Sequence, residues 1–415
     1  MENLFLDPTL IIILAGLIGF FMAFGIGAND VANAMGTSVG SKAITLKQAV
    51  IIAAIFEFLG AYFAGGEVTS TIRKDIVDPS IYSNDVNIFI IGMLSSLLAA
   101  GLWLLIASSK GWPVSTTHSI VGAIVGFVLI SKGASNVSWG TVGGIASSWI
   151  TSPLVSGLMA FLLYLSAKHL ILDRNNPTKA AVSVIPFYSF FVTAVICLVT
   201  ARKGLKHVGI NWTDNEIYLF TFVLSLLVSV FTFLFLLHKS GKLSSNVENQ
   251  FGILMIITAC AMAFAHGSND VANAIGPIAA VVSIVTSDGT IQTSSELNSW
   301  VLLLGAVGIV FGLAILGRHV IKTVGEKITT LTPSLGFSAN MATASTVLAA
   351  SYLGFPISTT HTLVGGVIGV GLARGYKYLD LNSIKRIFLS WIITIPVGAS
   401  FTILFYIILR LIFNV

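Results

Sequence analysis

Twelve apolar segments, most of them of membrane-spanning length, dominate this chain of 415 residues. An α-helix rises 1.5 Å per residue, so about 20 apolar residues cross the roughly 30 Å of hydrocarbon in a bilayer. The pattern therefore predicts an all-α polytopic membrane protein with about twelve transmembrane segments. Their approximate bounds are 9–27, 47–65, 87–107, 114–131, 140–166, 182–201, 216–238, 251–266, 299–317, 335–353, 357–373 and 385–413.

The composition excludes a soluble globular domain. Hydrophobic residues make up 55% of the chain and charged residues only 9%, whereas charged residues make up roughly 25% of a soluble domain. The two cysteines, Cys197 and Cys260, both lie in apolar segments and indicate neither a disulfide framework nor a metal site. We therefore expect lipid to surround most of the chain, and we expect no resident cofactor.

Two motifs occur twice, once in each half of the chain. GANDVANAMG at 27–36 matches GSNDVANAIG at 267–276 in eight of ten positions. PVSTTHSIVGAIVG at 113–126 matches PISTTHTLVGGVIG at 356–369 in eight of fourteen positions. The offsets of 240 and 243 residues are nearly equal, so segments 1–5 correspond to segments 8–12.

The repeat predicts three parts. Residues 1–170 form a first repeat of five segments, 171–245 contribute the linking segments 6 and 7, and 246–415 form the second repeat.

If all twelve segments cross, fifteen lysines and arginines lie on one side and six on the other. The positive-inside rule places the larger group in the cytoplasm and both termini outside. Seven crossings then separate the repeats, which predicts that they are inverted relative to each other, as in secondary transporters.

Segments 1, 4, 8 and 11 adjoin or contain the motifs, and this predicts broken or re-entrant helices there. If the STTH segments are hairpins that do not cross, the number of crossings changes and the orientation must be counted again.

A carboxylate follows an apolar run in both copies of the first motif, at Asp30 and Asp270. A charge at bilayer depth costs a few kcal/mol and usually marks an ion or substrate path. The alternative is an interfacial loop, where a carboxylate is cheap. The motif glycines allow the backbone to unwind, and carbonyl oxygens together with a carboxylate suit a hard cation. The candidate cation ligands are Asp30, Asn33, Asp270, Asn273, Asn29 and Asn269, and helix capping is the alternative role of the asparagines.

The STTH motifs present hydroxyl groups directly after a proline, Pro113 or Pro356. Proline suits the first turn of a helix, where free backbone N–H groups and the positive end of the helix dipole favour an anion. The alternative is ordinary hydroxyl capping. The candidate anion ligands are Ser115, Thr116, Thr117, Ser358, Thr359 and Thr360.

Four further polar residues are ambiguous. His118 and His361 of the STTH motifs either relay protons or make structural hydrogen bonds. Glu57 is either a buried hydrogen-bonded acid or a coupling residue, and its approximate counterpart, near Ile309, is apolar. His266 is matched by Ile26, which argues against an essential role in a symmetric mechanism.

Each repeat thus combines an element suited to a cation with an element suited to an anion. An isolated ion in a dry site costs tens of kcal/mol, so a multivalent anion must be accompanied by cations. This favours symport over a simple anion channel.

The paired GANDVANA-type and STTH motifs resemble the inorganic phosphate transporter (PiT) family over essentially the whole chain. The resemblance implies symport of inorganic phosphate with Na⁺ or H⁺, inverted repeats with twelve membrane segments, and a homodimer. The asparagine- and hydroxyl-rich motifs favour sodium, so we expect sodium ions as co-transported ligands. We expect the protein itself to lie in the plasma membrane. The alternatives are proton-coupled phosphate or sulfate symport and a cation channel. An enzyme is disfavoured, because we find no nucleophile–base pair and no cluster of metal ligands.

Overall fold

The computed structural model describes residues 4–204, 212–240, 246–291, 297–321 and 330–415, and the regular structure within these ranges is helical. The helices of fifteen or more residues in these ranges are α1 (Pro8–Gly40), α2 (Leu46–Ala64), α3 (Val86–Ser109), α4 (Thr116–Ser131), α5 (Trp139–Ala167), α6 (Pro177–Val199), α7 (Asp214–Ser240), α8 (Glu248–Asp270), α9 (Ala272–Thr286), α10 (Ser299–Ile315), α11 (Pro333–Tyr352), α12 (Thr359–Arg374) and α13 (Leu381–Phe413).

The all-α membrane class is confirmed. In the described part of the chain, eight helical stretches are long and apolar enough to cross a membrane, and α4 and α10 are apolar but shorter. Helices α11 and α12 belong to neither group, so the number of crossings stays a prediction. Most predicted segments match a helix within a few residues.

The distribution of polarity is the reverse of that in a soluble protein. Large apolar side chains of the long outer helices are mostly exposed, among them Ile150 on α5 and Leu411 on α13. A few ionisable groups instead lie in the interior, where Asp30, Glu57 and Asp270 are each at most 1% exposed. An apolar exterior around a polar centre fits a protein surrounded by lipid, in which buried ionisable groups mark the functional path.

The first GANDVANA motif does not unwind, and the expectation of a broken helix there was wrong. Helix α1 runs without interruption through the motif from Pro8 to Gly40. In the second repeat the helix is interrupted only at Val271, where φ is −57° and ψ is −32°. The motif glycines serve a different purpose, which is close packing. A Cβ atom on Gly27 would lie 1.9 Å from the carbonyl oxygen of Ile309, and one on Gly267 would lie 2.2 Å from that of Glu57.

The packing repeats along with the sequence, and it exchanges elements between the halves. Helix α1 of the first half packs on α10 of the second half, and α8 of the second half packs on α2 of the first. In the same way α4 packs on α13 and α12 packs on α5. The centre of the molecule is therefore built jointly by both halves.

Each STTH helix follows another helix after a short loop, α4 after α3 and α12 after α11. The side chains of Ser115 and Ser358 are N-caps, because their hydroxyl groups accept hydrogen bonds from the backbone N–H groups of His118 and His361, both at 3.2 Å. The helices therefore begin at the first threonine of each motif, three residues after the proline that was expected to lie in the first turn. That expectation was wrong because the serine caps the helix and leaves the proline in the preceding loop.

The glycine pair of each STTH helix, Gly122 with Gly126 and Gly365 with Gly369, allows close helix contact. A Cβ atom on Gly365 would lie 2.2 Å from the carbonyl oxygen of Pro153, whereas one on Gly143 would have no neighbour within 4 Å. We expect Gly365→Ala to destabilise the protein by about 1–3 kcal/mol through overpacking. Gly143→Ala, also in a helix, should be neutral or slightly stabilising. Thermal stability of the detergent-solubilised variants measures the difference, and equal melting temperatures would contradict this account of the packing.

Candidate functional site

Helix α1 brings its motif to the STTH motif of the other half. Asn33 Nδ2 donates hydrogen bonds to Asp30 Oδ1 at 3.0 Å and to Thr360 Oγ1 at 2.8 Å. The Thr360 hydroxyl lies 3.4 Å from the same carboxylate oxygen of Asp30. Asp30 and Asn33, three residues apart, share one helix face. The amide therefore links an acidic group of the first half to a hydroxyl of the second.

The second half makes the reciprocal contact. Asn273 Nδ2 donates to Thr116 Oγ1 at 3.3 Å and to Thr117 Oγ1 at 3.4 Å. Asp270 Oδ2 accepts a 2.6 Å hydrogen bond from Thr359 Oγ1. Thr359 also accepts from Asn33 Nδ2 at 3.3 Å, so it connects the two reciprocal contacts. The aspartates, the second asparagines and the threonines therefore form one buried cluster, which we call the central cluster.

The other predicted ligands lie beside the central cluster. Asn29 Nδ2 donates to Ser108 Oγ and to the Trp112 carbonyl, and its oxygen accepts from Val114 N, so its amide holds the loop before α4. Asn269 Nδ2 donates to Ser351 Oγ of α11 at 3.0 Å and to the Phe355 carbonyl, in the equivalent loop before α12, at 3.2 Å.

The serines of both motifs are likewise engaged elsewhere. The hydroxyl groups of Ser115 and Ser358 cap their own helices. Of each hydroxyl triplet, the two threonines therefore provide the groups of the central cluster.

Two residues whose role the sequence left ambiguous, Glu57 and His266, lie at the middle of the site. His266 Nε2 is 3.0 Å from Asp270 Oδ2 and 3.9 Å from Asp30 Oδ2. His266 Nδ1 is 3.3 Å from Glu57 Oε1. All four side chains are at most 1% exposed. One imidazole thus faces three carboxylates from three helices.

The signal for this pair was present in the repeat. The packing of Gly27 on Ile309 and of Gly267 on Glu57 shows that Glu57 and Ile309 are equivalent positions. His266 likewise corresponds to Ile26. The two polar departures from the repeat, one in each half, contact each other, so the site has an asymmetric component that motif matching does not reveal.

Several oxygen atoms of the site have no hydrogen-bond partner among the described residues, namely Asp30 Oδ2, Asp270 Oδ1 and Asn273 Oδ1. No described lysine or arginine forms an ion pair with Asp30, Asp270 or Glu57. Buried polar atoms in proteins are almost always satisfied, and a buried charge without a partner is costly. The donor set consists mainly of oxygen, so the site can accept cations.

The two STTH histidines lie side by side near the contact between the halves. The His118 and His361 ring centroids are 4.5 Å apart. His118 Nδ1 contacts the Trp391 carbonyl at 3.2 Å, and His361 Nδ1 contacts the Trp149 carbonyl at 3.1 Å. A carbonyl oxygen only accepts, so each Nδ1 carries the hydrogen. These hydrogen bonds are structural links between the repeats.

The comparisons with known proteins agree with this fold and site. A family model described as the phosphate transporter family matches residues 26–402. A solved structure named "The sodium-dependent phosphate transporter" is 42% identical, with a TM-score of 0.90, and the similarity covers 97% of this chain and 99% of that chain.

Relatives from distant organisms match most of the chain. The protein of Haemophilus influenzae named "Putative phosphate permease" is 51% identical over 407 residues, which is 97% of each chain. The Arabidopsis thaliana protein named "Inorganic phosphate transporter 2-1, chloroplastic" is 42% identical over 422 residues, covering 94% of this chain and 70% of that protein. This chain therefore belongs to the phosphate transporter family, whose members are membrane transporters and not enzymes.

Proposed function

We propose that the protein is a sodium-coupled symporter of inorganic phosphate that works by alternating access. The observation that carries the proposal is the central cluster, in which carboxylates and hydroxyl groups from both halves meet in a buried site. Membership of the phosphate transporter family supports phosphate as the substrate. The sodium dependence of the solved relative supports sodium as the coupling ion.

The proposed cation ligands are side-chain oxygen atoms of the two GANDVANA-type motifs. Asp30 and Asp270 supply the charge, and Asn33 and Asn273 supply neutral amide oxygens. Na⁺ is a hard cation that oxygen ligands suit. The amides of Asn29 and Asn269 do not contact the cation in this proposal. They hold the loops that lead into the STTH helices.

Phosphate binds, in this proposal, between the two STTH helix N-termini. Thr116 and Thr117 face it from one half, and Thr359 and Thr360 face it from the other. Hydroxyl groups donate to phosphate oxygens, and free N–H groups of a helix N-terminus favour an anion. No arginine is required, because the sodium ions that enter with phosphate neutralise it and leave with it.

The closed site fits an intermediate between outward-open and inward-open forms. Asp30, Asp270 and the threonine hydroxyls are nearly inaccessible to solvent. Inverted repeats supply such intermediates naturally, because exchanging the conformations of the two halves opens the site to the opposite side. We propose this arrangement for the repeats 1–170 and 246–415, linked by 171–245, with twelve crossings in the plasma membrane and a homodimeric assembly.

The proposed orientation can be tested by labelling. A cysteine at position 377 should react with an impermeant maleimide only from the cytoplasmic side, and one at position 203 only from outside. The reason is the unequal distribution of basic residues between the two sides. Several of these residues, among them Lys206, Lys242, Lys322 and Lys327, lie outside the described residues. Labelling of position 203 from the cytoplasm would reverse the orientation.

The proposed activity can be tested by uptake of labelled phosphate into proteoliposomes. At equal pH on both sides, an inward Na⁺ gradient should drive accumulation, whereas a choline gradient of the same strength should not. Excess sulfate should not compete. Accumulation driven by a pH gradient and indifferent to Na⁺ would contradict sodium coupling and favour proton transfer at the histidines. A cation current that does not saturate with cation concentration and is not accompanied by phosphate flux would indicate a channel.

A further inference from the structure

Two carboxylates and one imidazole at the middle of the site have the spacing of metal ligands. One donor atom each from Asp30, His266 and Asp270 lies within 4.8 Å of the other two. Ligands placed about 2.0–2.2 Å from a central ion are about 3–4 Å from one another. The 3.0 Å and 3.9 Å separations from His266 Nε2 to the two aspartates fall in that range. All three side chains are buried.

Glu57 completes the arrangement from the other side of the ring. A histidine that binds a metal usually presents its second ring nitrogen to a carboxylate or a carbonyl, which fixes the orientation of the ring. Glu57 Oε1 lies 3.3 Å from His266 Nδ1. The two atoms are not aligned for a hydrogen bond here, and a small rotation of the ring would align them. Neither residue has a polar counterpart, because Ile309 of the second half is equivalent to Glu57 and Ile26 of the first half is equivalent to His266. The ligand and its orienting carboxylate therefore occur together.

The donor set also determines which ion fits. An imidazole nitrogen suits zinc, copper, iron and nickel, whereas Mg²⁺ and Ca²⁺ prefer oxygen. Two carboxylates balance the charge of one divalent ion, so the imidazole can bind in its neutral form.

We propose that Asp30, His266 and Asp270 bind a divalent transition-metal ion such as Zn²⁺, with Glu57 orienting the imidazole. This ion competes with Na⁺ for the two aspartates and thereby blocks the transporter. The competition rests on the proposed function, since it assumes that the same aspartates bind sodium. Binding of the metal itself does not.

The test uses Co²⁺, whose visible absorption reports its ligands. Tag-free protein in detergent and sodium-free choline buffer is titrated with Co²⁺ by absorption and by calorimetry. We expect one ion per chain, and we expect added NaCl to weaken binding more than added choline chloride. Glu57→Gln should weaken binding about tenfold to hundredfold, and His266→Gln at least as much. His169→Gln, which alters an exposed histidine, is the matched control and should leave binding unchanged.

Two results would overturn the inference. One is wild-type protein that binds phosphate in Na⁺ but shows no saturable Co²⁺ binding. The other is His266→Gln protein with wild-type affinity for Co²⁺. If His266→Gln does not elute as a monodisperse protein, the Glu57→Gln variant and the competition between Na⁺ and Co²⁺ decide. Wild-type affinity of Glu57→Gln for Co²⁺, together with no competition by Na⁺, would then contradict the inference. Co²⁺ binding without any Na⁺-dependent phosphate binding would instead contradict the proposed function and leave the metal site standing.

Discussion

Replacing Asp30 or Asp270 with asparagine should remove most sodium-dependent phosphate binding while the protein stays folded. Asparagine has almost the same size as aspartate and keeps one carbonyl oxygen, so the packing of α1 and α8 should survive. The full negative charge is lost. A pair of unit charges about 4 Å apart at an effective dielectric constant near 20 interacts by roughly 4 kcal/mol. Losing half of that would weaken cation binding more than tenfold.

Phosphate affinity should fall together with cation affinity, because the coupling of two ligands is reciprocal. The measurement is calorimetric phosphate binding at several Na⁺ concentrations to variants that elute as monodisperse protein. Asp288→Asn is the matched control. Asp288 is exposed and has a φ of 51°, a conformation that asparagine tolerates. Wild-type sodium dependence in both Asp30→Asn and Asp270→Asn would mean that these acids do not bind the coupling ion.

Replacing Thr359 with valine should weaken phosphate binding about tenfold to hundredfold. Valine has nearly the same shape but no hydroxyl group. A hydrogen bond to a charged group contributes about 1.5–3 kcal/mol, and about 1.4 kcal/mol corresponds to one decade in affinity. A hydroxyl group has one hydrogen, so the Thr359 hydroxyl, which here donates to Asp270 at 2.6 Å, must turn toward phosphate when phosphate binds. Its loss should therefore shift the sodium dependence as well.

The control for this variant lies one turn further along the same helix. Thr362 is equally buried, but its hydroxyl group donates to the Ser358 carbonyl of its own helix at 2.8 Å. Thr362→Val therefore removes a buried hydroxyl without touching the central cluster, and phosphate binding should be close to that of the wild type. Equal losses in Thr359→Val and Thr362→Val would show that the effect is structural.

The sequence predicted most helices because each apolar segment is bounded by polar residues or by a capping serine, threonine, asparagine or aspartate. The predicted segment 47–65 became α2 (Leu46–Ala64), and Thr45 caps it together with Gln48. The continuity of α1 was not predictable in this way. Glycines in a polar motif indicate unwinding and close packing equally well, and only the position of α10 against Gly27 decides between the two.

The central cluster was predicted in its residues but not in its pairings. Motif matching shows that each half has an aspartate, an asparagine and two threonines. It does not show that Asn33 contacts Thr360 of the other half, because that contact depends on how the halves pack. His266 was set aside because Ile26 matches it, yet the departure from symmetry coincides with a second one at Glu57. Residues that break a repeat together are therefore informative.

The central claim is that the aspartates and threonines of both halves form one sodium–phosphate site. The most direct measurement is an electron cryomicroscopy map of the purified protein with Na⁺ and phosphate, compared with a map in choline and phosphate. We expect phosphate-sized density within hydrogen-bond distance of the hydroxyl groups of Thr116, Thr117, Thr359 and Thr360 in the first map and its absence in the second. Density of equal strength without sodium, or phosphate bound elsewhere while this position stays empty, would contradict the account.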